Sequence, residues 1–461
     1  MRNSFSKATA LFLAVFISVA FSQAQDITGQ WNGVLSVPGV NLRIVFHIDK
    51  TESGYTSKMD SPDQGVTGIP VTSTILNDLK LTLAIPSGGI LYEGEFQTDS
   101  IVGTFNQGAL SIPMNLKKGP TETKSINRPQ EPKPPYPYRS EDITFENKAV
   151  GITLAGTLTM PETGSNFTAV ILISGSGAQN RNEEIMGHKP FLVIADYLTR
   201  NGIAVLRYDD RGTAQSTGDF HSATTADFAS DAESAVAYLK SRKEINSQKI
   251  GIIGHSEGGI IAPMVAAQSK DVCFIVMLAG SGMRGDKVLL MQNEFLGRAS
   301  GMSESMIDRA RKLNSVIYDK IVNTQEFVSQ QEMVDLFTSL KVEFAEFIPD
   351  DNFIRSNAAQ MTPWVQYFLR YDPVSALQQV KCPVLAVNGS KDLQVTPKEN
   401  LEAIGAALKN GGNNKVTIKE YPNLNHLFQE CTTGLPAEYA IIEQTFSPDV
   451  LKDLASWILT H

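Results

Sequence analysis

Ser256 lies in Gly254-His255-Ser256-Glu257-Gly258, a single serine framed by residues small enough for the chain to turn sharply from strand into helix. In such an elbow the serine takes a strained backbone conformation and its hydroxyl stands clear, which makes Ser256 the candidate nucleophile for acyl transfer. A serine hydroxyl needs a base to become nucleophilic, and the base needs an acid to orient it. Asp392 follows the apolar run Pro383-Val384-Leu385-Ala386-Val387-Asn388-Gly389, at the place where an orienting carboxylate belongs. Asp372 also lies nearby, but it precedes that run instead of following it. The chain has six histidines, and only His426 and the C-terminal His461 lie beyond Asp392, so His426 in Asn423-Leu424-Asn425-His426-Leu427-Phe428 is the candidate general base.

The elements around these residues suit the chemistry. Lys249–Ile253 is a short apolar run of buried-strand type, and the small, Ala-rich stretch from Gly259 to Gln268 is helical in character, so strand, elbow and helix come in the required order. An oxyanion hole takes two backbone N–H donors: Glu257 at the helix start supplies one, and Ser176 in Ser174-Gly175-Ser176-Gly177, after the strand-like Ile171-Leu172-Ile173, supplies the other. The order Ser256, Asp392, His426 is that of α/β-hydrolases and differs from the orders found in chymotrypsin-like and subtilisin-like enzymes.

Ser174-Gly175-Ser176-Gly177, His188-Lys189-Pro190-Phe191, Arg207-Tyr208-Asp209-Asp210-Arg211-Gly212, the elbow, and Leu424-Asn425-His426-Leu427-Phe428 together resemble the bacterial EstD-type esterases, α/β-hydrolases related to serine aminopeptidases. The likeness spans about residues 140 to 461. It implies carboxylesterase chemistry with no metal or organic cofactor. After Gly212 the chain carries Thr213-Ala214-Gln215-Ser216 where the family pattern has Val-Gly-Lys-Ser, a departure that bears on substrate choice more than on the triad.

Six candidate strands alternate with helices: 169–174, 204–208, 249–254, 272–279, 383–388 and 415–421, which predicts a doubly wound, mainly parallel sheet. The stretch 224–243 reads as one of the helices, with a threonine cap, apolar residues at helical spacing and Lys240, Arg242 and Lys243 at its end. Residues 282–371 form an insertion of helical periodicity, expected to cap the C-terminal edge of the sheet. Met283, Met291, Phe295, Met302, Met306, Phe337, Phe344, Phe347, Met361, Trp364 and Phe368 are candidates either to line the pocket beneath it or to form the cap's own core.

Upstream the pattern changes. Leu42, Ile44, Phe46 and Ile48, and again Leu79, Leu81, Leu83 and Ile85, alternate with other residues as in half-buried strands, and turn-rich pieces at 61–65 and 87–89 separate such runs. Residues 25–118 are therefore expected to form a small all-β barrel or sandwich in which Trp31, Tyr55 and Tyr92 serve as core. A proline-rich segment, 119–138, reads as a stiff linker to the catalytic unit at 139–461.

Residues 1–24 carry Arg2 and Lys7, an apolar run from Ala8 to Phe21 and then Ser22-Gln23-Ala24, the pattern of a cleaved leader, so export to the periplasm or medium is expected. The apolar run is too short to anchor the mature chain as a spanning helix. Removing the leader takes away two basic residues, leaving 38 Lys and Arg against 49 Asp and Glu, a net −11 that argues against nucleic acid or anionic membranes as partners. Cys273, Cys382 and Cys431 are too few for a disulfide framework and read as free thiols, a Cys382–Cys431 bridge being the alternative; no Cys/His cluster has metal-ligand spacing. The expected substrates are small-molecule esters. Short peptides remain open, with Glu183, Glu184 or Glu257 to hold an α-ammonium, as does a non-catalytic binding role on the same scaffold. Oligomeric state is not legible.

Overall fold

A computed structural model describes residues 26–461 apart from 38–39, 63–65, 87–88, 98, 108–109 and 121–126. The leader expected over 1–24, most of the turn pieces at 61–65 and 87–89, and part of the linker lie outside the described residues.

Among the described residues, ten antiparallel strands lie between Gly29 and Lys118. The sheet curls until Gly54–Ser61 meets Ser73–Asn77, where Ser57 Oγ and Thr74 Oγ1 lie 2.6 Å apart, so the strands make a barrel. The alternation at Leu42, Ile44, Phe46 and Ile48 points those side chains into its core with Trp31, Tyr92 and Phe105. Leu79 does not follow: it sits in the turn before Lys80–Ile85 and is 43 % exposed, because the hairpin reverses there before the strand begins. Trp31 is fully buried, and its indole N–H reaches the Ile27 carbonyl at 2.7 Å.

The remainder is built on an eight-stranded sheet: β1 (Tyr138–Asn147), β2 (Ile152–Pro161), β3 (Phe167–Ile173), β4 (Ala204–Tyr208), β5 (Ile245–His255), β6 (Phe274–Leu278), β7 (Val384–Gly389) and β8 (Val416–Tyr421). Their spatial order is β1-β2-β4-β3-β5-β6-β7-β8, and every pair from β4 to β8 is parallel. The β1–β2 hairpin pairs antiparallel onto β4; it lacks the continuous apolar run of the central strands and was not among the expected strands. Central strands are buried on both faces, which is why they read as unbroken Val/Ile/Leu/Ala runs.

Helices α1 (Pro190–Arg200) and α11 (Pro448–Leu459) cover one face. The other is covered by α2 (Thr225–Ser241), α3 (Glu257–Gln268) and α10 (Pro397–Asn410). Asp227 Oδ2 accepts from both the backbone and the hydroxyl of Thr224, the cap expected at the start of α2.

Between β6 and β7 run α4 (Gly285–Ala299), α5 (Glu304–Val322), α6 (Gln330–Leu340), α7 (Asp351–Gln360), α8 (Pro363–Arg370) and the short α9 (Val374–Gln379). They have a hydrophobic core of their own, including Ile317, Ile321, Met333, Phe337, Phe344 and Leu369. Phe337 and Phe344 are thus cap core, Met302 is largely exposed, and Trp364 and Phe368 pack instead on the core beneath the sheet. The cap therefore meets the catalytic layer through α8.

The proline-rich segment is docked where it is described. The Arg128 guanidinium donates to the carbonyls of Met186, Gly187, Ala440 and Ile442, while Gln130 bonds the backbone of Thr445 and Phe446. Ala437 packs against the barrel core, so barrel and linker both touch the loop that follows His426. The three cysteines are unbridged, and burial pushes the Cys382 thiol up to about 12 and the Cys431 thiol up to about 11. No helix among the described residues is long and apolar enough to cross a membrane.

Candidate active site

Ser256 leaves β5 with φ 53° and ψ −112°, a strained conformation for a residue with a side chain, and α3 begins at the next residue. The glycines of the pentapeptide are there for space. A Cβ on Gly254 would lie 1.9 Å from the Gly258 carbonyl oxygen, and one on Gly258 would lie 2.1 Å from that of Ile173. Ser256 is half-buried between two buried neighbours, His255 and Glu257, so the turn presents only the serine.

Asp392 and His426 sit in the loops after β7 and β8, which are sewn together by hydrogen bonds from Ser390 N to Tyr421 O, 2.8 Å, and from Lys391 N to Leu424 O, 2.9 Å. Asp392 Oδ1 accepts the N–H groups of Gln394 and Val395, and Oδ2 takes His426 Nδ1 at 2.7 Å. That contact engages Nδ1 and leaves Nε2 as the ring nitrogen turned away from Asp392. Asp372 is exposed and bonds only the nearby Val374 N–H, so its place before β7 keeps it out of the site. Ser256 joins the pair through its neighbour: the His255 ring lies 4.9 Å from that of His426. Among the described residues Ser256 Oγ makes no hydrogen bond to His426 in this geometry. Such contacts tighten when substrate arrives.

The turn after β3 lies over the nucleophile, since a Cβ on Gly175 would come within 3.2 Å of Ser256 Cβ. Gly175 N–H is committed to Glu183 Oε1 at 2.6 Å, which leaves the next amide, that of Ser176, as the candidate donor of this turn; the Glu257 amide stands at the start of α3. The Glu257 carboxyl faces the other way. Its Oε1 accepts from Thr225 Oγ1 and from Trp364 Nε1 of the cap, both at 2.7 Å, and burial pushes it up to about 6 against the pull of those two bonds.

Asp209, Asp210 and Arg211 brace loops, as the charged trio at a strand end suggests. Asp209 holds Arg181, Arg211 holds Asp231, and Asp210 accepts from Ser174 Oγ and Gln179 N while burial drives its carboxyl well above the usual range. His188 is buried against Thr445, Tyr439 and Gln429, and desolvation takes it down to about 4. His47, which has no evident partner in the sequence, pairs with Asp60 at 2.7 Å across the barrel sheet; the two lie diagonally on paired strands, His47 opposite Lys58 and Asp60 opposite Val45, and only strand pairing brings them together. Glu183, considered as an ammonium ligand, is instead the partner of His255 at 2.8 Å, a link that no local spacing signals.

Residues 189–430 match the family described as serine aminopeptidase, S33, a little over half of the chain and the part that holds the elbow, Asp392 and His426. The chain belongs to that family. It is a serine hydrolase of the α/β-hydrolase fold, and the reading of its fold as a non-catalytic scaffold falls. The hydrolase is also 26 % identical over 398 residues to esterase EstD of Thermotoga maritima, covering 84 % of this chain and 86 % of that one. An Escherichia coli 31.7 kDa protein from the traX-finO intergenic region is likewise 26 % identical, over 69 % of this chain and 99 % of its own. Among solved structures, the Pyrococcus furiosus esterase Pf2001 is 15 % identical with a TM-score of 0.44, over 74 % of this chain and 99 % of that one.

Proposed function

We propose that this hydrolase cleaves carboxylic esters of small molecules through Ser256, His426 and Asp392, with Glu257 and Ser176 N–H groups as the oxyanion hole. The Asp392–His426 contact beside a serine in a strained strand-to-helix turn carries the reading. Ser256 Oγ attacks the ester carbonyl as His426 Nε2 takes its proton; the tetrahedral oxyanion collapses and His426 returns the proton to the departing alkoxide, releasing the alcohol. Water, deprotonated by His426, then attacks the acyl-serine, and the acid leaves as Ser256 regains its proton. Asp392 stays ionised throughout and stabilises the imidazolium.

Esters are favoured over aminoacyl peptides because the carboxylates beside the nucleophile are spoken for. Glu183 is bonded to His255 and Gly175, and Glu257 to Thr225 and Trp364, so neither is free to hold an α-ammonium. Glu184, exposed and bonded to Asn180, is left outside the buried site. Turnover of p-nitrophenyl esters from acetyl to decanoyl, set beside aminoacyl p-nitroanilides, tests the assignment: activity confined to the anilides moves the enzyme to the peptidases.

The leader pattern supports export, and mature protein beginning at Gln25 is the expected result of N-terminal sequencing. We read 25–118 and 139–461 as separate domains joined by 119–138, with 282–371 as the cap; retention of ester turnover by residues 139–461 tests that division.

A further inference from the structure

One buried pair of titratable groups beside the triad has no part in the steps above. Glu183 and His255 are both buried, and they stand between the turn after β3 and the loop that carries His426. His255 Nδ1 lies 2.8 Å from Glu183 Oε1, and Nε2 lies 2.9 Å from the backbone carbonyl oxygen of His426. A carbonyl oxygen can only accept, so Nε2 carries a proton. The Glu183 oxygen facing Nδ1 also accepts the Gly175 N–H at 2.6 Å, and as a carboxylate oxygen it can accept from Nδ1 as well. A neutral imidazole has one N–H, whereas this one faces an acceptor at each nitrogen.

We propose that His255 is held as an imidazolium, protonated on both nitrogens and paired with Glu183, and that this pair positions His426 and the Gly175 turn while keeping a fixed positive charge beside the catalytic base. The groups facing His255 bear this out in sign. Glu183 and Asp392 are the carboxylates that act most strongly on it, and the neighbouring rings are those of His426 and Phe428. Burial pulls the His255 imidazole down, but the charge of Glu183, its hydrogen bond and that of the His426 carbonyl outweigh it, so the ring is raised.

Two consequences follow from one contact set. Mechanically, His255 ties the base loop to the turn bearing the Ser176 amide, two parts of the machinery that are otherwise on different loops. Electrostatically, the His255 ring centre lies 4.9 Å from that of His426, so the charge on His255 stands directly beside the base. His255 and Glu183 are thus positioning residues, which act on substrate only through His426 and Gly175.

The direct test is nitrogen NMR of the full chain labelled at histidine. Both His255 ring nitrogens should give the protonated, imidazolium-type signal up to pH 8, and a neutral tautomer there overturns the proposal whatever the enzyme hydrolyses. The kinetic test rests on the triad reading and uses p-nitrophenyl butyrate. His255→Gln should lower kcat/KM by about 100-fold through misplacement of the base. Its acid limb should move to higher pH by about one unit, because a neighbouring cation is gone while Glu183 remains. Glu183→Gln should move it in the same direction by less. A fall in kcat/KM with an unmoved acid limb would reduce the pair to a structural brace and overturn the electrostatic half. Ser256→Ala separates the two readings: if it retains turnover the triad assignment fails, and the NMR result still decides the charge state of His255. Should His255→Gln not fold, the wild-type spectrum decides alone.

Discussion

The barrel and the hydrolase sheet are both β-structures with hydrophobic cores, yet they bury different things. Among the described residues the barrel's buried polar side chains are Ser57 and Ser61, whereas the sheet, its loops and its helices bury Glu183, Arg207, Asp209, Arg211, Asp231, His255, Glu257, Asp392 and His426. An apolar core sets shape and little else; buried charge is costly, survives only where hydrogen bonds and counter-charges meet it, and gathers where proton transfer has to occur. The barrel is stabilised by packing, and the catalytic unit by packing plus a mesh of paired charges that also places the reacting groups.

Ser256→Ala should produce the largest effect on that contrast, lowering kcat by a factor on the order of 10⁶ in p-nitrophenyl ester assays, with the fold intact by circular dichroism. Asp392→Asn keeps the shape but permits the wrong His426 tautomer, and kcat should fall on the order of 10⁴-fold. Trp31→Ala probes the other region: loss of a buried indole should cost about 3–5 kcal/mol of barrel stability by denaturant unfolding, with ester turnover unchanged where the protein remains folded. If turnover falls with it, the barrel belongs to the site and the contrast breaks.

The smallest expected effect concerns Glu257. Its carboxyl is raised in the folded protein from 4.5 to about 6, so the folded state holds the proton more tightly than the unfolded chain. The associated stabilisation is complete below pH 4.5 and is lost as the pH rises through about 6, about 2 kcal/mol over that window. Glu257→Gln keeps an acceptor for Trp364 and Thr225 without a charge to desolvate. The difference in melting temperature between it and the wild type should shift in the variant's favour between pH 4.5 and 7.5. An unchanged difference would mean that the carboxyl is not desolvated by the cap.

The strained turn at Ser256 and the places of Asp392 and His426 were legible because each is announced locally. The elbow needs glycines at fixed offsets, Asp392 follows an apolar strand, and His426 is the one histidine downstream of it that is not terminal. The parallel strands were legible for a related reason, since burial on both faces leaves no polar alternation to confuse the pattern. The β1–β2 hairpin was missed because β1 is half-exposed and rich in polar residues, while β2, though mostly buried, has Thr and Gly between its apolar positions. Leu79 was assigned to a strand because alternation alone does not mark where a hairpin turns.

The sequence by itself determined the tight turn at Ser256, the chain order of Ser256, Asp392 and His426 and the layered sheet that carries them, because strand burial and tight turns are written in neighbouring residues. Only the tertiary structure decided the supports: Glu183 meets His255 across 72 residues, His255 meets the His426 carbonyl across 171, and Trp364 meets Glu257 across 107. No periodicity spans such distances. A hydrogen bond between loops depends on where the whole sheet sets its strand ends, and that is fixed only when the core has packed.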